Sequence, residues 1–181
     1  MSSTETLVQS AWAIDPAHSE IQFKVKHLVI TTVTGHFKQF SGWVHSGENF
    51  DDAQIHFEAN VDSISTNSEQ RDTHLKGQDF FEADKFPTLS FTSTHFEKKN
   101  ESEFELEGNL TIKGVTKKVH FDVEFAGMAK DPWGNTKAGF ELKGKINRKD
   151  FGLNWNAITE AGGALVSDEV KLIANIQLVK K

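Results

Sequence analysis

Apolar residues recur at every second position through most of this chain. Ile21, Phe23, Val25 and His27 alternate with Gln22, Lys24 and Lys26, and Ile55, Phe57, Ala59 and Val61 alternate with His56, Glu58 and Asn60. Between these runs, Gly35 to Ser46 puts Phe37 and Trp43 on one parity and Phe40 and Val44 on the other, which predicts a bulge or bend near Phe40 to Gly42. The same alternation returns with Leu89, Phe91 and Ser93, then Phe104 to Ile112, Val119 to Phe125, Phe140 to Ile146 and Val170 to Leu178. Phe151, Leu153 and Trp155 continue the apolar parity after Asp150. A period of two sends successive side chains to opposite faces, so each run predicts a strand with one dry face and one wet face. Turn chemistry separates the runs at Asp15-Pro16, Lys98 to Asn100, Lys113-Gly114, Asp131 to Asn135 and Ala161 to Ala164. About eight such strands of roughly ten residues predict an all-β, eight-stranded antiparallel barrel rather than a sandwich, whose strands are shorter.

The alternation fails in one long stretch, Thr66 to Phe91. Thr66 followed by Glu69 has the spacing of a capping box, which predicts a short helix from about Ser68 to Lys76, ended by Gly77. Pro87 then marks the entry to the next strand, since proline has no N–H to give inside a ladder.

Composition narrows the function classes. Among 181 residues, 26 acidic side chains against 20 basic ones leave a formal charge of −6 without a basic run, which disfavours nucleic-acid partners. No cysteine is present, so disulfides and thiolate chemistry are excluded. No segment reaches the roughly 18 apolar residues of a membrane span, so stable membrane insertion is not expected. The first residues show no leader, which predicts a cytoplasmic protein as the chain stands and a periplasmic one if it is a mature or trimmed form. Residues 1–11 are expected to be a flexible segment before a single domain over 12–181. Eight histidines include no HExxH and no two at ligand spacing, and neither a GxSxG elbow nor a phosphate loop occurs, so no metal, cofactor or catalytic group is expected. Fifteen phenylalanines against no tyrosine suit a dry interior. An eight-stranded barrel is wide enough either to be filled by its side chains or to hold one ligand, and the pattern alone leaves both open.

Several ordered motifs go further. WAIDPAHS from Trp12, Gly35-x-Phe37-x-x-Phe40-x-Gly42, SISTNSEQRDTHL from Ser63, DFF at Asp79, FPTLSFTST from Phe86, GNLTIKGVTKKV from Gly108, DPWGN, AGF at Ala138 and RKDFGL from Arg148 together resemble the YceI-like family of lipocalin-type, polyisoprenoid-binding barrels. The resemblance runs from about Trp12 to the C-terminus. It implies a bacterial lipid-binding protein, with a short helical insertion around residues 66–82 and a long internal pocket for an isoprenoid or other extended amphiphile.

On that footing the expected ligand-binding wall is Phe23, Val25, Phe37, Ile55, Phe57, Phe91, Phe104, Leu106, Phe121, Phe125, Phe140, Leu142 and Trp155, with plain core packing as the alternative for each. The insertion becomes a lid or end-wall with Phe80 and Phe81 turned inward. His27, Arg71 and His74 complete the expected site. Arg71 and His74, three apart on one helix, would meet an anionic head group, or else Arg71 and Asp72 pair locally to fix the insertion. The bound species would be a hydrophobic small molecule of the quinone or polyprenyl phosphate type, held without catalysis. The alternatives are an enzyme using His27, or His74 with Asp72, at the barrel mouth, and a stress-related protein interaction module with a filled core. An apolar mouth would also be a natural contact for a second copy, which makes a homodimer compatible with the pattern.

Overall fold

The computed structural model describes residues 10–156 and 165–181. Eleven strands among these residues form one antiparallel sheet: β1 (Ser10–Ile14), β2 (Glu20–His27), β3 (Thr31–Phe37), β4 (Phe40–Ser46), β5 (Gln54–Asn60), β6 (Ile64–Ser65), β7 (Thr88–Lys98), β8 (Glu103–Ile112), β9 (Val115–Lys130), β10 (Thr136–Asn147) and β11 (Val166–Lys180). Among the same described residues a single α-helix, α1 (Glu69–Lys76), interrupts them. Strand β1 begins at Ser10, two residues before the domain start expected from sequence, and pairs there with the end of β4.

The pairings reduce these strands to eight staves of a closed barrel. The C-terminal end of β11 pairs with β1 and its N-terminal part with β2, so β1 and β2 are two halves of one bent stave. Likewise β2 and β1 pair with β3 and β4, which in turn pair with β6 and β5. The ring then runs β5, β7, β8, β9, β10 and β11. Closure removes the exposed sheet edges that would otherwise recruit another chain.

The three bends lie side by side. A 3-10 turn at Pro16–His18 breaks the first stave, Lys38-Gln39 the second and a 3-10 turn at Val61–Ser63 the third. The second and third are laced together where Lys38 N–H donates to the Ser63 carbonyl at 3.2 Å and Asn60 N–H to the Gln39 carbonyl at 2.9 Å. The predicted bend near Phe40 to Gly42 therefore falls two residues earlier. Its effect on parity is the expected one: Phe37 and Val44 are both buried, while Trp43 is turned outward against His45 and His56.

Asp15 anchors the first bend. Its carboxylate accepts from Ala17 N–H at 3.1 Å, meets His18 Nδ1 at 2.9 Å and receives Lys137 Nζ at 3.3 Å from β10. The His18 hydrogen bond, with help from Lys137 and the Ala17 amide, holds the Asp15 carboxyl below the usual carboxylate range. A group whose pKa falls on folding stabilises the fold above its unfolded pKa, and that contribution is lost as the pH drops through the folded value. Asp15→Asn keeps the turn's acceptor and removes the charge. We expect a small loss of stability at neutral pH that vanishes on acidification below the ordinary aspartate range, read by thermal unfolding across pH.

Glycines set the thickness of the wall. Phe23 lies flat across Gly35, its partner on β3, where an added Cβ would sit 2.1 Å from the ring. Phe121 covers Gly144 on β10 in the same way, at 2.7 Å. A phenylalanine laid over a cross-strand glycine covers the wall without projecting far inward, so the centre of the barrel stays open.

Candidate functional site

Two aromatic layers bound the interior. At one end Trp12, Phe50, Phe125 and Phe140 interlock with centroid separations of 4.9 to 5.7 Å, and Phe104 joins them between Phe140 and Phe96. Phe50 reaches this floor from the loop after β4, at a φ of 62°. At the other end His74, Phe80 and Trp155 form a mutual cluster, and Phe81 meets Phe37 edge-on at 6.1 Å. Between floor and roof lies a cavity of about 590 Å³.

Of the residues expected on the wall, Phe23, Val25, His27, Phe37, Ile55, Phe57, Phe91, Leu106, Phe121, Phe140, Leu142 and Trp155 line this cavity, as do Arg71, His74, Phe80 and Phe81 of the insertion. Phe104 and Phe125 do not. They face inward as their parity predicts, but at the floor end, packed among neighbouring rings, where Phe104 is buried and Phe125 half-buried. Trp133, in the turn between β9 and β10, is 83 % exposed.

Helix α1 forms the roof without an apolar face of its own, and none of its residues is buried. Its N-cap is Ser68, whose hydroxyl accepts from Arg71 N–H at 3.3 Å, so the expected capping box at Thr66 is not formed. Thr66 is instead buried and acts as the anchor. Its hydroxyl donates to Asp72 Oδ1 at 2.6 Å and accepts from Arg71 Nε at 2.7 Å, while its N–H reaches the same carboxylate at 2.8 Å and its carbonyl takes Arg71 Nη2 at 2.7 Å. Arg71 is thus committed to holding the insertion, as the local-pairing reading expected, although through Thr66. His74 pairs with Asp79 at 2.9 Å rather than with Asp72, so the acid–base pair of the enzyme reading is not assembled.

Thr66→Val would take one hydrogen bond from each charged partner of this anchor, leaving those made through the Thr66 backbone. An unsatisfied hydrogen-bonding group costs roughly 1–3 kcal/mol, and hydrogen bonds to charged groups lie at the upper end. We expect a loss in that range by urea unfolding, with faster amide exchange confined to α1 and its flanks.

The least expected residue is Arg148. Rather than continuing a strand, Arg148–Phe151 forms a 3-10 turn closed by Gly152 at a φ of 77°, which turns Arg148 inward. Its side chain is 3 % exposed and lines the cavity. Nη1 donates to the carbonyls of Leu153 and Trp155 at 2.6 and 2.7 Å, Nε to that of Ser167 at 2.9 Å and Nη2 to that of Val166 at 3.3 Å. Burial pulls the guanidinium pKa below its ordinary value, opposed by Asp168 at 3.9 Å. Asn156 completes the clamp by exchanging two hydrogen bonds with Val166. The stretches 153–156 and 165–168 are thereby tied together beside the mouth. The expected loop at Ala161 to Ala164 lies outside the described residues.

Electrostatically the cavity is divided along its length. Arg71, His74 and Arg148 stand at the α1 end, and the floor is aromatic. Among the described residues no group of three or more His, Asp or Glu side chains comes together as a metal site would require. The arrangement suits an elongated apolar molecule with a polar group left near the mouth.

Fold and cavity together define a closed eight-stranded antiparallel barrel with an apolar interior capped by one helix. Residues 12–178 match the YceI-like domain, and the chain belongs to that family. It is 38 % identical over 169 residues to a UPF0312 protein of Staphylococcus aureus (strain MSSA476), covering 92 % of this chain and 95 % of that one. It is 37 % identical to the protein YceI of Salmonella newport (strain SL254), covering 99 % and 92 %. Among solved structures, YceI protein of Campylobacter jejuni is 35 % identical with a TM-score of 0.74, over 92 % of this chain and 96 % of that one. A structure described as a polyisoprenoid binding domain from Saccharophagus degradans shares the fold, with a TM-score of 0.67 at 12 % identity over 94 % and 98 %.

Proposed function

We propose that the protein binds, carries or stores a long isoprenoid or similar amphiphilic lipid, of the quinone or polyprenyl phosphate type, inside the barrel and performs no reaction on it. The observation that carries this reading is the cavity itself, enclosed by phenylalanine and aliphatic side chains on facing strands and floored by interlocked rings. Its volume of about 590 Å³ falls within the range of small-molecule pockets. The name given to the Saccharophagus degradans domain supports the same class of ligand.

The energetics are compatible. Burial stabilises by roughly 0.8 kcal/mol per methylene, so about twenty methylenes give a gross figure near 16 kcal/mol before ordering costs are subtracted. That approaches the ceiling for non-covalent affinity, so a lipid tail needs no specific polar contact. The polar residues at the α1 end then select which end of the ligand enters last.

Native mass spectrometry of freshly purified protein, followed by organic extraction, tests the reading. A co-purifying lipid is the expected result. Protein that emerges empty, and that also takes up neither an isoprenoid quinone nor a polyprenyl phosphate, would overturn it.

A further inference from the structure

The turn joining β2 to β3 exposes three large apolar residues in a row. Leu28, Val29 and Ile30 are 39 %, 76 % and 79 % exposed. They stand at the rim of the mouth: His27 and Leu165 beside them line the cavity, and Leu28 N–H donates to the Leu165 carbonyl at 2.9 Å.

The backbone there is at odds with its residues. Leu28 and Val29 have φ of 54° and 65°, and Ile30 N–H closes the turn on the His27 carbonyl at 3.3 Å. Positive φ at both central positions is the requirement of a type I′ turn, which asparagine and glycine meet and a β-branched valine meets only with strain. Strained, apolar and exposed, this choice weakens the fold, and such local conflicts mark function.

A basic surface leads into the same turn. Lys24 and Lys26 lie along β2 toward it, Lys171 is the cross-strand partner of Lys24, and Lys145 is that of Lys171. Like charges directly opposite one another are unfavourable in a sheet. Lys145 is tempered by Glu169 at 3.9 Å, but among the described residues Lys24, Lys26 and Lys171 form no ion pair. This row stands out on a chain whose formal charge is −6.

We propose that the Leu28–Ile30 turn and the lysine row dock the barrel mouth onto an anionic lipid bilayer, with the turn entering the interfacial layer and the lysines meeting the head groups. Apolar insertion beside cationic side chains is the combination an anionic membrane surface rewards. A second copy meeting this face about a two-fold axis would set lysine row against lysine row. The use of docking for loading rests on the proposed lipid cavity, while the docking itself does not.

The test is co-sedimentation of the full chain with vesicles of phosphatidylcholine and phosphatidylglycerol, three parts to one, and with phosphatidylcholine alone. The wild type should pellet with the mixed vesicles and be released by added salt. The triple substitution Leu28→Asn, Val29→Gly and Ile30→Ser relaxes the turn, so it should raise the thermal midpoint while lowering vesicle affinity about tenfold. Lys24→Gln with Lys171→Gln should lower affinity for the mixed vesicles about fivefold per charge. A wild type that does not pellet, or a triple variant that binds as well as wild type, overturns the proposal. So does a triple variant that only converts a dimer into a monomer by sedimentation velocity. Uptake of a detergent-solubilised isoprenoid quinone separates the two readings. Docking without uptake defeats the cavity reading alone, and uptake without docking defeats the membrane proposal alone.

Discussion

Replacing Arg148 with alanine should lower the free energy of unfolding by about 3–5 kcal/mol. The guanidinium donates to four carbonyls from two separate stretches of chain, and of these that of Val166 also accepts from the Asn156 amide. Each carbonyl left buried without a donor costs on the order of 1–3 kcal/mol, and water entering the vacated space recovers part of the sum. Lysine restores little. Its ammonium carries three donors on a flexible stem and cannot span carbonyls that the planar guanidinium reaches together. For a chain of this length the loss corresponds to a fall of roughly 10 °C in thermal midpoint. Urea unfolding should show a lower midpoint with an unchanged slope. A loss below about 1 kcal/mol would mean that water replaces the guanidinium, making Arg148 dispensable to the mouth.

This prediction also marks where the sequence stops being legible. The barrel was readable because its staves are long and one-sided: Phe104 to Ile112 alternates without a fault, and all its even-numbered residues are buried. Most of the cavity wall follows from the same parity, since any inward residue in the middle of a stave faces the interior. Depth along the barrel axis leaves no such trace, which is why Phe104 and Phe125 were expected on the wall and belong to the floor. Phe50 was missed for a related reason. It enters the floor from a loop, and the one available signal was a large apolar residue amid Gly47, Asp51 and Asp52. Arg148 was missed because a single arginine beside Lys149 and Asp150 looks like a solvated turn, and only the 3-10 turn with its left-handed Gly152 reverses that. The helical insertion falls where the sequence predicts it, and Arg71 and Asp72 fix it locally, although through Thr66. Thr66 and Glu69 have capping-box spacing, yet Ser68 caps the helix and frees Thr66 to bind the side chains of Arg71 and Asp72.

Filling the cavity should separate ligand binding from folding. Ala174 faces the interior from β11, between Leu142 on β10 and Ile21 on β2, and all three line the cavity. Ala174→Trp would place an indole in space the side chains leave open. The ring gains apolar contacts there, so the usual penalty for overpacking, about 1–3 kcal/mol in a solid core, is largely offset. Ligand and indole compete for the same volume. At about 0.8 kcal/mol per methylene, displacing only four of them removes roughly 3 kcal/mol of binding, or about a hundredfold in affinity. Titration with a detergent-solubilised isoprenoid quinone measures that loss, and unfolding in urea checks that the barrel survives. A variant that folds normally and binds the quinone as tightly as wild type would place the lipid elsewhere. One that folds poorly would show instead that the interior near β11 is packed solid, which the same substitution at the neighbouring inward position, Leu172→Trp, would reproduce.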